Sequence, residues 1–271
     1  MKTRIIVAAI GLPLLLLVVL ALPAVATAIL VALMCVLAVY ELLMGAGLCR
    51  NVRIFAFTAC MALANCAWSW MGMPRSLGMI VVFVFFCGLF GQMLASHATL
   101  DFKAICAAVF AGLALPYLLG ALIRLRSMDN GKFMIMTVFL LTMVPDSGAY
   151  FAGVFFGKHK LCPVISPKKT IEGAIGGVIS TVIFMLLYTL LLERSFAFQV
   201  NYLYGALYGL LGAGASMLGD LSFSVIKRQT GIKDYGSLLP GHGGILDRFD
   251  STTVVAPMVE LLLLTVPFVV K

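Results

Sequence analysis

The chain has 271 residues, of which 62% are hydrophobic and only 11% are charged, and its formal net charge is +8. Soluble globular domains carry about 25% charged residues, so this composition excludes an ordinary soluble domain and predicts a polytopic membrane protein. The positive charge suits an anionic membrane face and polyphosphate binding, and it requires no nucleic-acid partner.

Long apolar segments follow one another along the chain. A helix needs about 20 apolar residues to cross a hydrocarbon core, and lipid cannot satisfy free backbone groups, so helices are the expected spans. We predict an all-α, polytopic integral membrane fold of about nine transmembrane helices. The predicted spans are residues 5–22, 24–44, 54–70, 79–94, 104–123, 133–144, 171–192, 201–219 and 253–270.

The distribution of positive residues predicts the orientation. With a cytoplasmic N-terminus, 13 of the 19 lysines and arginines fall on the cytoplasmic side, as the positive-inside rule requires. Arg124, Arg126 and Lys132 fall on the opposite side. The first 28 residues imitate a cleavable secretory signal. Because the apolar pattern continues into a second span, we expect an uncleaved first helix.

Polar residues concentrate in the second half of the chain. Residues 1–126 are predicted to form about five N-terminal spans, and residues 127–271 a C-terminal catalytic membrane region with cytoplasmic loops 146–173 and 220–251. Six of the 11 acidic residues lie in these loops: Asp146, Glu172, Asp220, Asp234, Asp247 and Asp250. Ionisable groups in a membrane protein are costly unless they line a wet cavity, which favours a functional site over plain solvated loops.

Helical spacing places several of these residues together. If the eighth span continues as a helix past Gly219, then Asp220, Ser224 and Lys227 stand on one face, at i, i+4 and i+7, with Arg228 beside them. Asp247 and Asp250 are three residues apart and would share a face where the last span begins.

The residue types indicate the ligand class. Aspartates without cysteine or paired histidine suit Mg²⁺, which takes one or two carboxylates together with water and substrate phosphates. Basic side chains that could bind those phosphates are Lys168, Lys169, Lys227, Arg228, Lys233 and Arg248. Carboxylates, cations and a glycine-rich turn together favour phosphoryl or nucleotidyl transfer.

The stretch "PGHGG", residues 240–244, is open to two interpretations. Its backbone N–H groups could bind an anion at the start of the last helix, or it could be a plain turn into that helix. His242 could be a proton donor, a phosphate ligand or a turn residue. The Walker A spacing is absent.

One acidic residue outside the polar loops is also ambiguous. Glu41, near the end of the second span, is either a buried partner or a residue that reaches the interface, and the sequence does not choose. Glycine pairs at four-residue spacing predict close helix packing rather than ligand binding. They are Gly153 with Gly157, Gly173 with Gly177, and Gly205 with Gly209.

The polar motifs resemble the phosphatidate cytidylyltransferase, or CDP-diacylglycerol synthase, family. The family signature is complete in three pieces, Ser224-Val-Ile-Lys-Arg, Lys233-Asp234 and the stretch Pro240–Asp250 that contains H-G-G-x-x-D-R-x-D. The upstream stretches "DSGAYFAG", "GKHKL" and "SPKKTIEG" also match. The departures are Val144-Pro145 in place of a tryptophan-containing dipeptide, Lys168 in place of a common glycine, and Phe223 at an often polar position.

The resemblance implies a reaction and its setting. Phosphatidate and CTP would give CDP-diacylglycerol and pyrophosphate with Mg²⁺, and a second, monovalent cation is a further candidate cofactor. The implied enzyme is a homodimer surrounded by membrane lipids, in the bacterial cytoplasmic membrane, with its active site facing the cytoplasm.

The resemblance also implies residue roles. Catalytic roles fall on Asp220, Lys227, Arg228, Asp247 and Arg248. Metal ligation falls on Asp220, Asp247 and Asp250. Substrate binding falls on Ser166, Lys168, Lys169, Thr170, Ser224, Lys233, Asp234, His242, Gly243 and Gly244.

Two other functions are weighed against this one. A CDP-alcohol phosphotransferase would carry a D-G-x-x-A-R element and a D-x-x-x-D pair, whereas Asp247 and Asp250 are separated by two residues. A transporter for an anionic substrate would show an inverted repeat between the two halves, whereas the polar motifs occur only in the second half.

Overall fold

The structure is a computed structural model that describes residues 11, 13–96, 100–238 and 243–270. Its helices are α1 (Ala24–Gly45), α2 (Val52–Met71), α3 (Arg75–Ala95), α4 (Phe102–Ser127), α5 (Gly131–Phe156), α6 (Ile171–Phe196), α7 (Tyr202–Gln229), α8 (Leu246–Phe249) and α9 (Thr252–Thr265). A π-helical segment, Leu17–Ala21, precedes α1. The strands are β1 (Lys160–Cys162), β2 (Ser166–Thr170), β3 (Gln199–Val200) and β4 (Val269–Val270).

The fold is mostly helical, as predicted. Within the described ranges, seven helices, α1 to α7, are long and apolar enough to cross a membrane. Residues 5–10 and 12 of the first predicted span, residues 5–22, lie outside these ranges. Helix α9, at the ninth predicted span, has 14 residues and is therefore only about 21 Å long. The count of nine spans and the orientation stay predictions.

Two helices extend beyond their predicted ends. Helix α5 continues through Pro145 to Phe156, so the first eleven residues of the predicted loop 146–173 are helical. Helix α7 continues to Gln229, so the predicted loop 220–251 begins with almost three helical turns. Proline is tolerated inside membrane helices because neighbouring groups can satisfy the freed carbonyl. The prediction of loops at 146–173 and 220–251 was therefore wrong at the N-terminal end of each loop.

Several helices are preceded by a polar N-cap residue. In each case a side-chain oxygen accepts the backbone N–H of a residue two or three positions later, as an N-cap does. The caps are Asn51 before α2, Asp101 before α4, Thr170 before α6 and Asn201 before α7. These helix starts are therefore encoded locally in the sequence.

The contacts divide the described chain into two compact units. One comprises Met1–Lys132 and Lys227–Phe249, and the other Phe133–Ile226 and Asp250–Lys271. Most of α5 and α7 belongs to the second unit, and the last three residues of α7 belong to the first. The functional division predicted at residue 126 stays a prediction.

In the first unit, α1 packs against α2 and α4 around fully buried apolar side chains such as Cys35, Leu43 and Ile54. Arg126 donates from Nε to the Val19 carbonyl over 2.9 Å and from a second nitrogen to the Leu22 carbonyl over 3.1 Å. Cations commonly bind the free carbonyls at a helix end. Arg126, on the less positive side of the predicted topology, therefore has a structural role.

In the second unit, glycines allow helices to approach closely. A methyl group on Gly209 of α7 would lie 2.7 Å from Val182 Cα of α6, and one on Gly173 would lie 2.8 Å from the Ala149 carbonyl oxygen of α5. Gly177 is similarly close to the Pro145 carbonyl. The predicted packing role of these glycines is confirmed.

Replacing Gly209 by alanine should lower stability, because the new methyl group meets backbone atoms that cannot rotate away. We expect a loss of about 1–3 kcal/mol, the usual cost of overpacking, seen as a lower midpoint of thermal denaturation in detergent. Gly214→Ala is the matched control on the same helix, since nothing lies within 4 Å of its added methyl group. Equal midpoints for the two variants would contradict the packing role.

Candidate functional site

The first charged cluster surrounds Asp247 in the first unit. The Lys227 ammonium lies 2.8 Å from Asp247 Oδ1, and the two side chains are only 12% and 3% exposed. The other carboxylate oxygen, Oδ2, accepts the backbone N–H groups of Tyr235 at 2.8 Å and Gly244 at 2.9 Å. The Asp247 carboxyl group is therefore buried with three donors, and buried polar groups are tolerated when they are hydrogen-bonded in this way.

Aromatic and glycine residues complete the surroundings of Asp247. The Lys227 ammonium lies 5.4 Å from the centre of the buried Tyr235 ring, a distance at which a cation is attracted to the ring face. Gly243 has φ of +85°, and a methyl group there would lie 2.8 Å from Asp247 Oδ2. Glycine is thus required at residue 243 both by its backbone conformation and by the carboxylate beside it.

Glu41 of α1 lies beside the same turn. Its carboxylate is buried and accepts the backbone N–H groups of Ile245 and Leu246, each at 2.8 Å. Of the two interpretations of Glu41 open from the sequence, the structure supports the buried partner. We call Glu41, Lys227, Tyr235, Gly244 and Asp247 the Asp247 cluster.

The second cluster lies in the second unit and consists of Lys169, Asp220 and Ser224, called here the Asp220 cluster. Lys169 of β2 forms an ion pair with Asp220 of α7, and both side chains are about one quarter exposed. The Ser224 hydroxyl lies 3.4 Å from Asp220 Oδ1, one helical turn further on. Helix α7 continues past Gly219, which was the condition for the predicted shared face, and it places Asp220 and Ser224 on one face.

The β1–β2 hairpin positions Lys169. Its strands pair antiparallel, with Lys160 opposite Thr170 and Cys162 opposite Ser166. Glu172, at the start of α6, accepts the backbone N–H groups of Lys158 and His159 and lies 2.6 Å from His159 Nδ1. These contacts hold the two residues directly before β1 against the start of α6, and Lys169 lies on the strand that pairs with β1.

The spacing predicted that Asp247 and Asp250 would share a helical face, but the two residues do not lie in one helix. Asp247 lies in α8, α9 begins at Thr252, and Asp250 stands in the turn between them. The Asp250 side chain is buried, and its Oδ1 accepts the Ser251 N–H at 2.7 Å. Gly219 lies against the Asp250 and Ser251 backbone, where a methyl group would come within 2.8 Å.

The remaining predicted site residues lie at the surface or near it. Ser166 and Thr170 are half-buried in β2, and Thr170 caps α6. Five charged candidates are exposed: Lys168, Arg228, Lys233, Asp234 and Arg248. His242 falls outside the described residues. Phe223, the departure next to Ser224, is buried and packs in the interior.

Two residues and one residue pair of this region were not assigned from the sequence. Glu41 was ambiguous, Tyr235 carried no signal, and the Glu172–His159 pair was not predicted. Tyr235 could have been found only as an aromatic residue next to the Lys233-Asp234 motif. Glu41 could have been found as the single acidic residue inside an otherwise apolar span.

Both clusters contain carboxylate oxygens, the ligand type that a hard divalent cation prefers. Asp220 and Asp247 each already accept an ammonium group. Among the described residues, no group of three or more histidine, cysteine or acidic side chains is arranged to hold a metal ion. A metal bound here would take one or two carboxylates and complete its shell with water and phosphate oxygens, which is the usual coordination of Mg²⁺.

The described residues thus define a helical protein of the membrane-embedded class, with polar carboxylate–lysine clusters on charged segments of its C-terminal half. The cytidylyltransferase family model matches residues 2–266, and the chain belongs to that family.

Three relatives of this chain are each named phosphatidate cytidylyltransferase. The protein of Staphylococcus saprophyticus is 39% identical over 160 residues, 59% of this chain and 60% of the relative. The protein of Haemophilus influenzae is 41% identical over 128 residues, which are 47% of this chain and 44% of the relative. The protein of Staphylococcus aureus strain COL is 43% identical over 158 residues, which are 58% of this chain and 59% of the relative. The matches therefore span about half of each relative's length.

Proposed function

We propose that the chain is a phosphatidate cytidylyltransferase, which converts phosphatidate and CTP to CDP-diacylglycerol and pyrophosphate in phospholipid biosynthesis. The observation that carries this proposal is the buried Lys227–Asp247 pair, because its two members come from opposite ends of the family signature. Membership of the cytidylyltransferase family and the names of the relatives support it.

The chemistry needs charge neutralisation more than a strong base. A phosphate monoester is largely deprotonated at neutral pH, so a phosphatidate oxygen can attack the α-phosphorus of CTP directly. A new P–O–P bond forms, the bond between the α-phosphorus and the bridging oxygen breaks, and pyrophosphate leaves with the electron pair. Lys227, Arg228, Lys233 and Arg248 would bind the phosphates and stabilise the charge that develops on the leaving group.

The hairpin residues have a binding role in this proposal. Ser166, Lys168 and Thr170 would contact substrate phosphate from β2, and Lys169 would exchange between Asp220 and that phosphate. Ser224, Gly243 and Gly244 would also contact the substrate, and Asp234 and His242 would position the 220–251 segment or water. The Lys169–Asp220 pair supports such an exchange, because its side chains are partly exposed and solvent weakens an ion pair that it reaches.

Mg²⁺ would be held by carboxylates from Asp220, Asp247 and Asp250, with a monovalent cation as a second candidate. When bound, it would neutralise phosphate charge and polarise the α-phosphoryl group. We further propose a homodimer of about nine spans in the bacterial cytoplasmic membrane, with a cytoplasmic N-terminus and active site. The bacterial relatives and the positive-inside pattern support this setting.

The test uses the full chain, purified in detergent, with phosphatidate, labelled CTP and Mg²⁺. We expect labelled CDP-lipid and an equal amount of pyrophosphate, and no product when CTP is replaced by ATP or when chelator removes Mg²⁺. A lack of product under conditions in which a Staphylococcus relative is active would reject the proposal. Consumption of added CDP-diacylglycerol with an alcohol acceptor would instead indicate a CDP-alcohol phosphotransferase.

A further inference from the structure

We infer that Glu41 is a positioning residue for Asp247, an inference that rests on the proposed function. Glu41 belongs to α1, far from the signature in sequence, yet its side chain lies against the turn that carries Asp247. Its two carboxylate oxygens accept the N–H groups of Ile245 and Leu246, the two residues directly before Asp247. Glu41 therefore acts on Asp247 through the backbone.

Because Glu41 is buried, its carboxylate needs hydrogen-bond partners within the protein. The Glu41 residue is only 3% exposed, and a buried carboxylate is tolerated when it accepts good hydrogen bonds. The two N–H groups are the partners that the structure provides for it, one on each oxygen. Removing the carboxylate would leave two backbone donors unsatisfied next to Asp247, which is a costly arrangement in a buried turn.

The chain makes room for Glu41 at two glycines of the signature region. A methyl group on Gly244 would lie within 2.5 Å of the Glu41 carboxylate, and one on Gly236 would lie 2.9 Å from its Oε1. On α1, Gly45 lies directly against the Tyr235 carbonyl oxygen. Helix α1 therefore lies close to the chain at Tyr235–Gly236 and at Gly244, and a larger residue at any of these three glycines would prevent that approach.

Asp247 and Glu41 accept different backbone N–H groups of the same turn. Asp247 accepts the N–H of Gly244, and Glu41 accepts the next two N–H groups. Three consecutive backbone donors are thereby directed toward acidic side chains, so the turn has little freedom to rotate. This explains how a short glycine-rich segment can hold the Asp247 carboxylate in one orientation toward Lys227.

The first measurement is hydrogen exchange by mass spectrometry on the full chain in detergent without substrate, on peptides covering residues 243–249. In Glu41→Gln one acceptor oxygen becomes an NH₂ donor, so we expect exchange there to be about tenfold faster than in the wild type. Glu193→Gln is the matched control, because Glu193 accepts a hydrogen bond from Tyr202 instead. We expect wild-type exchange in that variant.

The second measurement is the dependence of turnover on Mg²⁺ concentration. Partners that orient metal ligands typically change metal affinity or activity by 10- to 100-fold. We expect Glu41→Gln to raise the half-saturating Mg²⁺ concentration about tenfold, with the KM for CTP within about twofold of the wild type. Glu193→Gln should leave both values unchanged.

Gly244→Ala provides an independent variant, because its methyl group displaces Glu41 without removing the carboxylate. We expect the same rise in Mg²⁺ requirement, and no further rise in the double variant with Glu41→Gln. Wild-type exchange in Glu41→Gln would overturn the inference. Faster exchange with an unchanged Mg²⁺ requirement and turnover would also overturn it, since Glu41 would then be merely structural. If the wild type makes no CDP-lipid, the proposed function fails, and the exchange measurement alone decides whether Glu41 holds the turn.

Discussion

Asp247→Asn is expected to abolish CDP-lipid synthesis. The substitution removes the negative charge that pairs with Lys227 and that we propose as a metal ligand. A metal ion contributes several kcal/mol to stabilising phosphoryl charge, so turnover should fall by roughly 10³-fold or more. Turnover is measured as labelled CDP-lipid formed per amount of folded protein, which is judged by its elution profile in detergent.

This variant should also be less stable. Removing one member of a buried ion pair leaves the other charge uncompensated and typically costs about 3–5 kcal/mol, and both side chains here are largely buried. The double variant Lys227→Gln with Asp247→Asn removes both charges and should regain most of that stability while staying inactive. Asp129→Asn, at an exposed aspartate of the same unit, is the control for activity. Substantial turnover in Asp247→Asn would remove Asp247 from the proposed metal site.

Asp220→Asn is expected to reduce turnover as strongly but with little loss of stability. Both side chains of its ion pair with Lys169 are about one quarter exposed, more than those of the Lys227–Asp247 pair, and an ion pair contributes less to stability as solvent reaches it. The midpoint of thermal denaturation should therefore stay close to the wild-type value. The activity assay and the melting curve are run on the same preparation.

The contrast between the two aspartates is itself a test. If both variants were destabilised equally, the difference in burial between the two clusters would not affect stability.

Lys169→Gln distinguishes the role of the ion pair from the role of the Asp220 carboxylate, because it removes the cation while leaving Asp220 intact. We expect it to weaken the apparent affinity for substrate more than it lowers kcat. Full activity of Asp220→Asn would exclude Asp220 as a required ligand.

Local features were predictable from the sequence because they depend on residues close together in the chain. Apolar segments of about 20 residues form helices in lipid regardless of their partners, and Asn51, Thr170 and Asn201 cap helices through residues two or three positions away. The signature residues and their charge also followed from the sequence. Helix ends were less predictable, because Pro145 does not interrupt α5.

Pairings between distant residues were decided only by the tertiary structure. The Lys169–Asp220 contact requires the β1–β2 hairpin to reach α7, and nothing in the spacing predicts it. Glu41 contacts Ile245 across a separation of 204 residues. In a chain with 62% hydrophobic residues, most helix faces are alike in polarity, so periodicity cannot tell which faces meet. Close approach at small residues and the burial of a few charges make that selection, and both depend on the packed helices.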